Sequence, residues 1–99
     1  MAKVTDAQVE LVRQLVASIP PGRVSTYGDI ASAAMLSSPR IVGWIMRTDS
    51  ADLPWHRVIT ATGRPAAHLT SRQLELLRAE GIPASDGRID LATARHHFT

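Results

Sequence analysis

Cysteine is absent from the 99 residues. Disulfides, thiolate nucleophiles and cysteine-containing zinc sites are excluded with it. The histidines, His56, His68, His96 and His97, are left without the spacing of a zinc motif, and neither metal nor cofactor is expected. His96 and His97 read as a solvated pair. No apolar run approaches the roughly 20 residues of a membrane-spanning helix. No basic-then-apolar leader opens the chain, and the expected location is intracellular. No internal repeat, low-complexity tract or linker divides the sequence, so one domain over residues 1–99 is expected.

What is present is ordinary for a soluble domain: 44% hydrophobic and 20% charged residues. A chain this short buries only a modest core. The net charge of +2 suits a nucleic-acid partner without requiring one.

Thr5-Asp6-Ala7-Gln8 has the form of a capping box, and Val9, Val12, Leu15, Val16 and Ile19 continue at helical spacing. Pro20-Pro21-Gly22 ends that helix. Val24 falls in an extended connector, and Ser25 or Thr26 caps a second helix over about residues 27 to 35. Ser37 or Ser38 caps a third, with Pro39 in its first turn, running to Arg47 or Thr48. Two short helices so close together make a helix-turn-helix candidate. TDSADLP reads as a polar loop, WHRVIT as a short strand, and ATGRPAAH as a loop broken by Gly63 and Pro65. Thr70 or Ser71 caps a fourth helix that closes at Gly81 and Pro83. A turn at Asp86-Gly87 and a strand over Arg88 to Leu91 follow.

On a helical wheel of residues 39 to 48, Ile41, Val42, Ile45 and Met46 share one side, and Arg40, Gly43, Trp44 and Arg47 share the other. A solvated face is one reading of the second stripe. A helix lying against a polyanion is the other, and it accounts for two oddities. Arg40 opposes the helix dipole in the first turn. Gly43 costs about 1 kcal/mol relative to alanine.

LPWHRVIT, residues 53 to 60, places Trp55 between Pro54 and His56, where a small nucleophile would suit the reactive histidine beside it. IPPGRVSTYGDIA, PRIVGWIMR and PWHRVI, in this order, resemble the DNA-binding domain of the O6-alkylguanine-DNA alkyltransferases. With tryptophan at the position of that family's reactive cysteine, PWHRV resembles the non-enzymatic alkyltransferase-like branch. The resemblance covers about residues 5 to 82.

The resemblance implies a mainly helical winged helix-turn-helix domain with a small β component. It also implies that the additional N-terminal α/β domain of larger members is missing. It implies minor-groove binding to double-stranded DNA containing O6-alkylguanine, with the damaged base rotated into a pocket. Tyr27 corresponds to the tyrosine that crowds the 3′ phosphate. Arg40 corresponds to the arginine that fills the vacated stack, and Trp55 to the alkyl acceptor. His56 and Glu80 correspond to the relay that activates the thiol, a task without an object here, and Arg57 reads as an ion-pair partner. Asp49 stands near a hinge asparagine. By counting, His68 falls where an arginine meets the flipped base, with Arg64 or Arg72 as substitutes.

The expected DNA-binding set is therefore Ser25, Thr26, Tyr27, Arg40, Gly43, Trp44 and Arg47. Trp44 would pack on sugars or close against the wing. The expected lesion pocket is Tyr27, Pro54, Trp55, His56, Val58 and His68. The implied outcome is recognition without removal of the alkyl group, by a DNA-associated cytoplasmic monomer. The lesion would then be handed to nucleotide-excision-repair damage-recognition proteins, with the segment after Pro83 as a candidate contact. The alternative is a winged-helix regulator reading intact sequence, but two arginines, a glycine and a tryptophan read base edges poorly. Alkyl transfer to another residue is a third possibility, disfavoured by the lack of cysteine.

Overall fold

The computed structural model describes residues 4–66 and 69–98. Helix α1 (Asp6–Ala17) opens with the capping box: Gln8 N–H donates to the Thr5 hydroxyl, and the Gln8 side chain accepts from Thr5 N–H. Strand β1 (Ser25–Thr26) leads straight into α2 (Tyr27–Ala33), capped by Thr26, and Ser38 caps α3 (Pro39–Thr48). Helices α2 and α3 pack on one another across a five-residue turn, giving the helix-turn-helix arrangement. Met35 stands in that turn at φ 56°, the left-handed conformation that ordinarily ends a helix with glycine.

The strand expected over WHRVIT is shorter than its sequence suggests. Trp55–Arg57 form a 3₁₀ turn, and only Val58–Ile59 (β2) are extended. The turn begins at Pro54 and closes when Arg57 N–H donates to Pro54 O at 3.0 Å. β2 pairs in parallel with β1, Ser25 opposite Val58 and Thr26 opposite Ile59. Successive strand residues face opposite ways. Val58 accordingly joins one core with Val12, Val16, Ile30, Val42 and Ile45, while Ile59 joins a second with Val24, Leu77, Ile82, Ile89 and Ala94.

Helix α4 (Thr70–Ala79) starts one residue earlier than a Thr70 cap would place it and two earlier than a Ser71 cap; Leu69 takes the capping position without a side-chain bond. Strands β3 (Ala84–Ser85) and β4 (Arg88–Ile89) form an antiparallel hairpin around the expected turn. Leu91, expected in that strand, instead begins α5 (Leu91–Ala94), because Asp90 accepts Ala92 N–H and caps it.

The segment after Pro83 is not a detachable tail. Ile89 and Ala94 are core, Val24 N–H donates to Ala94 O, and His96 N–H donates to Val24 O. Arg95 makes two bonds to Asp29 at 2.7 and 2.8 Å. His96 packs edge-on against Phe98, so it is not the solvated half of a histidine pair. The hairpin also holds the loop of residues 60–66. Ile89 N–H donates to Gly63 O at 2.8 Å, and a Cβ on Gly63 would stand 2.4 Å from Ile89 O. Among the described residues, no helix is long and apolar enough to cross a membrane.

Candidate nucleic-acid interface

The wheel of α3 holds in three dimensions. Val42, Ile45 and Met46 are buried, while Arg40, Trp44 and Arg47 are exposed. The packing of α2 against α3 then brings Tyr27, Arg40, Gly43 and Arg47 around one concavity of about 680 Å³. The end of α3 adds Thr48, and the loop after it adds Ser50 and Ala51. Trp55 comes from the 3₁₀ turn, and Ala66, Leu69 and Gln73 complete the lining with Met46. The size lies within the range of about 300–1,000 Å³ that small-molecule sites occupy.

Each side chain brings a distinct property. Burial pushes the Tyr27 phenol above its ordinary pKa, which already lies well above neutrality, so it carries its proton and can donate a hydrogen bond. Arg40 and Arg47 have no carboxylate partner among the described residues, whereas Arg13, Arg57 and Arg95 do. A Cβ on Gly43 would meet nothing within 4 Å, so protein packing does not explain the glycine. Trp55 packs on the first core and stands edge-on to the His56 ring, centroids 6.0 Å apart.

His56, Arg57 and Glu80 form a closed network. Glu80 accepts from Arg57 Nε at 3.0 Å and Nη2 at 2.7 Å, from His56 Nε2 at 2.7 Å and from Gly22 N–H at 3.3 Å. Arg57 Nη1 donates to Ile19 O at 2.9 Å. The Glu80 carboxyl is lowered to about 2, first by Arg57, with His56 and Gly22 adding to the effect against the cost of burial. It is therefore ionised, and His56 Nε2 must be the donor toward it. The two groups expected as a relay are tied into a clamp joining the end of α1, the 3₁₀ turn and the end of α4. Gln73 anchors the same turn from beneath, its Nε2 donating to His56 O at 3.0 Å and Val58 O at 2.6 Å.

Of the expected residues, Tyr27, Arg40, Gly43, Arg47 and Trp55 line the concavity together. Pro54, His56, Val58 and Trp44 do not line it: Val58 is core, and Trp44 stands half-exposed outside it. Ser25 and Thr26 are buried, with Thr26 Oγ1 committed to Asp29 N–H, so neither side chain is free at the surface. His68 lies outside the described residues. Of the two alternatives to it, Arg64 donates to Asp86 O in the hairpin turn, and neither it nor Arg72 lines the concavity. Asp49 caps the end of α3 and is held by Arg13. Met46, expected on the core side of α3, and Thr48, Ser50, Ala51, Ala66, Leu69 and Gln73 were not foreseen in the site. Gln73 carried the one readable signal, a polar residue on the buried stripe of α4.

Residues 8–82 match the model of the 6-O-methylguanine DNA methyltransferase DNA-binding domain. The chain is 40% identical to a DNA base-flipping protein of Escherichia coli over 94% of its own length and 77% of the relative's. It is 40% identical to alkyltransferase-like protein 1 of Schizosaccharomyces pombe over 72% of each. A crystal structure of S. pombe Atl1 in complex with damaged DNA containing O6-carboxymethylguanine superposes with a TM-score of 0.83 at 30% identity, covering 97% of this chain and 100% of that one. The O6-methylguanine methyltransferase of Mycobacterium tuberculosis matches with a TM-score of 0.66 at 29% identity, over 91% of this chain and 55% of that one. The shared fold is a mainly helical helix-turn-helix DNA-binding domain with few strand residues.

Proposed function

The chain belongs to the alkyltransferase-like family, and from that premise we propose that it binds O6-alkylguanine in duplex DNA, turns the damaged nucleotide into the concavity beside Trp55 and leaves the alkyl group in place. The observation that carries the reading is the meeting of Tyr27, Arg40 and Trp55 on one concavity.

The roles follow from the side chains. A base must leave the stack before its pairing edge can be reached. Tyr27 crowds the backbone of the nucleotide to be turned. Arg40, planar and without a carboxylate partner among the described residues, fills the gap, since a guanidinium both stacks and donates several hydrogen bonds. Gly43 lets the duplex approach α3 closely, and Arg47 meets phosphate. Trp55 offers the base an apolar wall and no nucleophile toward carbon. Binding of the ground state without a reactive group gives recognition and no turnover.

A bound and bent complex is a larger distortion than a small adduct alone. Bending costs on the order of a few kcal/mol and is offset by minor-groove contacts. The complex therefore serves as a flag for excision-repair damage recognition, read from a surface away from α3. Because residues 84–98 are part of the fold, that contact is to be sought with surface substitutions on the intact chain.

Fluorescence titration of one duplex, with and without a single O6-methylguanine, tests the reading. It expects at least tenfold tighter binding to the damaged duplex, and equal affinities would contradict it.

A further inference from the structure

Two carboxylates follow immediately on the helix that lines the concavity. Asp49 and Asp52 are 56% and 65% exposed as side chains. Thr48, Ser50 and Ala51, interleaved with them, line the concavity itself. Charges placed within a screening length of about 8–10 Å of a phosphate backbone would repel it.

Arg13 reaches this loop from α1. Its Nη1 donates to Asp49 O at 2.8 Å, to Asp49 Oδ1 at 3.1 Å and to Asp52 Oδ1 at 3.1 Å, and its Nη2 donates to Asp52 Oδ2 at 2.6 Å. The Asp52 carboxyl is held below the usual carboxylate range, chiefly by this hydrogen bond. One guanidinium thus gathers two acidic side chains and a carbonyl at the edge of the binding face. Exposed ion pairs contribute little to stability. Helix α1 is already held by fully buried Val12 and Val16, and Ser50 Oγ separately ties the loop to Met46 O.

We propose that Arg13 is a positioning residue for DNA binding: it gathers the carboxylates of Asp49 and Asp52 and keeps their charge from opposing the duplex. The inference rests on the concavity being the DNA face, and its chemistry concerns the phosphate backbone rather than the lesion.

The test uses the intact chain, as parent, as Arg13→Gln, and as Arg13→Gln combined with Asp49→Asn and Asp52→Asn. Dissociation constants are measured on the same duplex, damaged and undamaged, across salt from about 50 to 300 mM, with the Tm of each variant alongside. Arg13→Gln is expected to weaken binding to both duplexes about 5- to 10-fold at the lowest salt and about twofold at the highest, as screening hides the freed carboxylates. The triple variant is expected to bind within about twofold of the parent, because removing the carboxylates removes the repulsion. Unchanged binding by Arg13→Gln overturns the proposal. A loss that ignores salt and persists in the triple variant also overturns it, leaving Arg13 a purely structural role. A parent that fails to prefer the damaged duplex counts against lesion recognition, while the effect of Arg13→Gln on the undamaged duplex still reads the proposal.

Discussion

Arg57 and Arg40 carry the same side chain on neighbouring parts of the fold and live differently. Arg57 is enclosed, with Glu80 on its Nε and Nη2 and Ile19 O on its Nη1. Arg40 is exposed beside the concavity without a carboxylate partner among the described residues, as is Arg47. In the clamp under Trp55 the Arg57 guanidinium and the Glu80 carboxylate are committed to partners inside the protein. The rim has unspent donors, an open space above Gly43 and a protonated tyrosine. A charged residue that the fold satisfies is structural, and one left unsatisfied at a concave surface is available to a partner. The histidine and glutamate that would activate a thiol fall, by this measure, on the structural side.

Breaking the clamp should have the largest effect. Glu80→Ala strands Arg57 in a largely buried site, and stranding one partner of such a pair costs about 3–5 kcal/mol. Thermal unfolding should show Tm lowered by more than about 10 °C. The same group sets an acid limit. Its folded pKa lies below the unfolded value, so its contribution is complete above about 4.5 and is lost as pH falls toward about 2. Urea unfolding from pH 7 down to pH 3 should show that loss in the parent, and Glu80→Gln should flatten it.

Arg40→Ala sharpens the contrast from the other side. Stability should stay within about 0.5 kcal/mol, as for surface substitutions generally. Binding to the damaged duplex should weaken by about 1–3 kcal/mol, read by titration with a 2-aminopurine reporter. A Tm drop like that of Glu80→Ala would erase the distinction between the two arginines.

Gly43→Ala should move the two properties in opposite directions. No protein atom crowds the new methyl group. The helix should gain about 0.5–1 kcal/mol, while binding falls because the methyl projects toward the duplex. The smallest effect belongs to Met35, which is 87% exposed and held at φ 56°. Met35→Gly should relieve about 1 kcal/mol of left-handed strain, partly offset by the freedom glycine adds to the unfolded chain. Calorimetry reads both.

Much of this was legible in the sequence because it is local. The Thr5–Gln8 box, the caps at Thr26 and Ser38, and the two-sided wheel of α3 each depend on residues within a few positions. The misreadings are of two kinds. In WHRVIT, β-branched composition hid a turn set by Pro54, and after Arg88 the capping role of Asp90 went unread. Elsewhere the sequence had no voice: Arg13 meets Asp49 and Asp52 across 36 and 39 positions, and Arg95 meets Asp29 across 66. Ser25 stood in the expected DNA-binding set, but both residues of β1 are buried where it pairs with β2. The Gly63 loop and the tail were separate segments on paper; Gly63 and Ile89 show them fastened together.

The central claim is that the site holds an alkylated base beside a tryptophan and does nothing further to it. The most direct measurement incubates excess protein with an O6-methylguanine duplex, then digests the DNA to nucleosides and takes the intact mass of the protein from the same sample. All of the O6-methylguanine recovered, with the protein mass unchanged, is the predicted result. Loss of the modified nucleoside with a matching gain of one methyl group on the protein would contradict it.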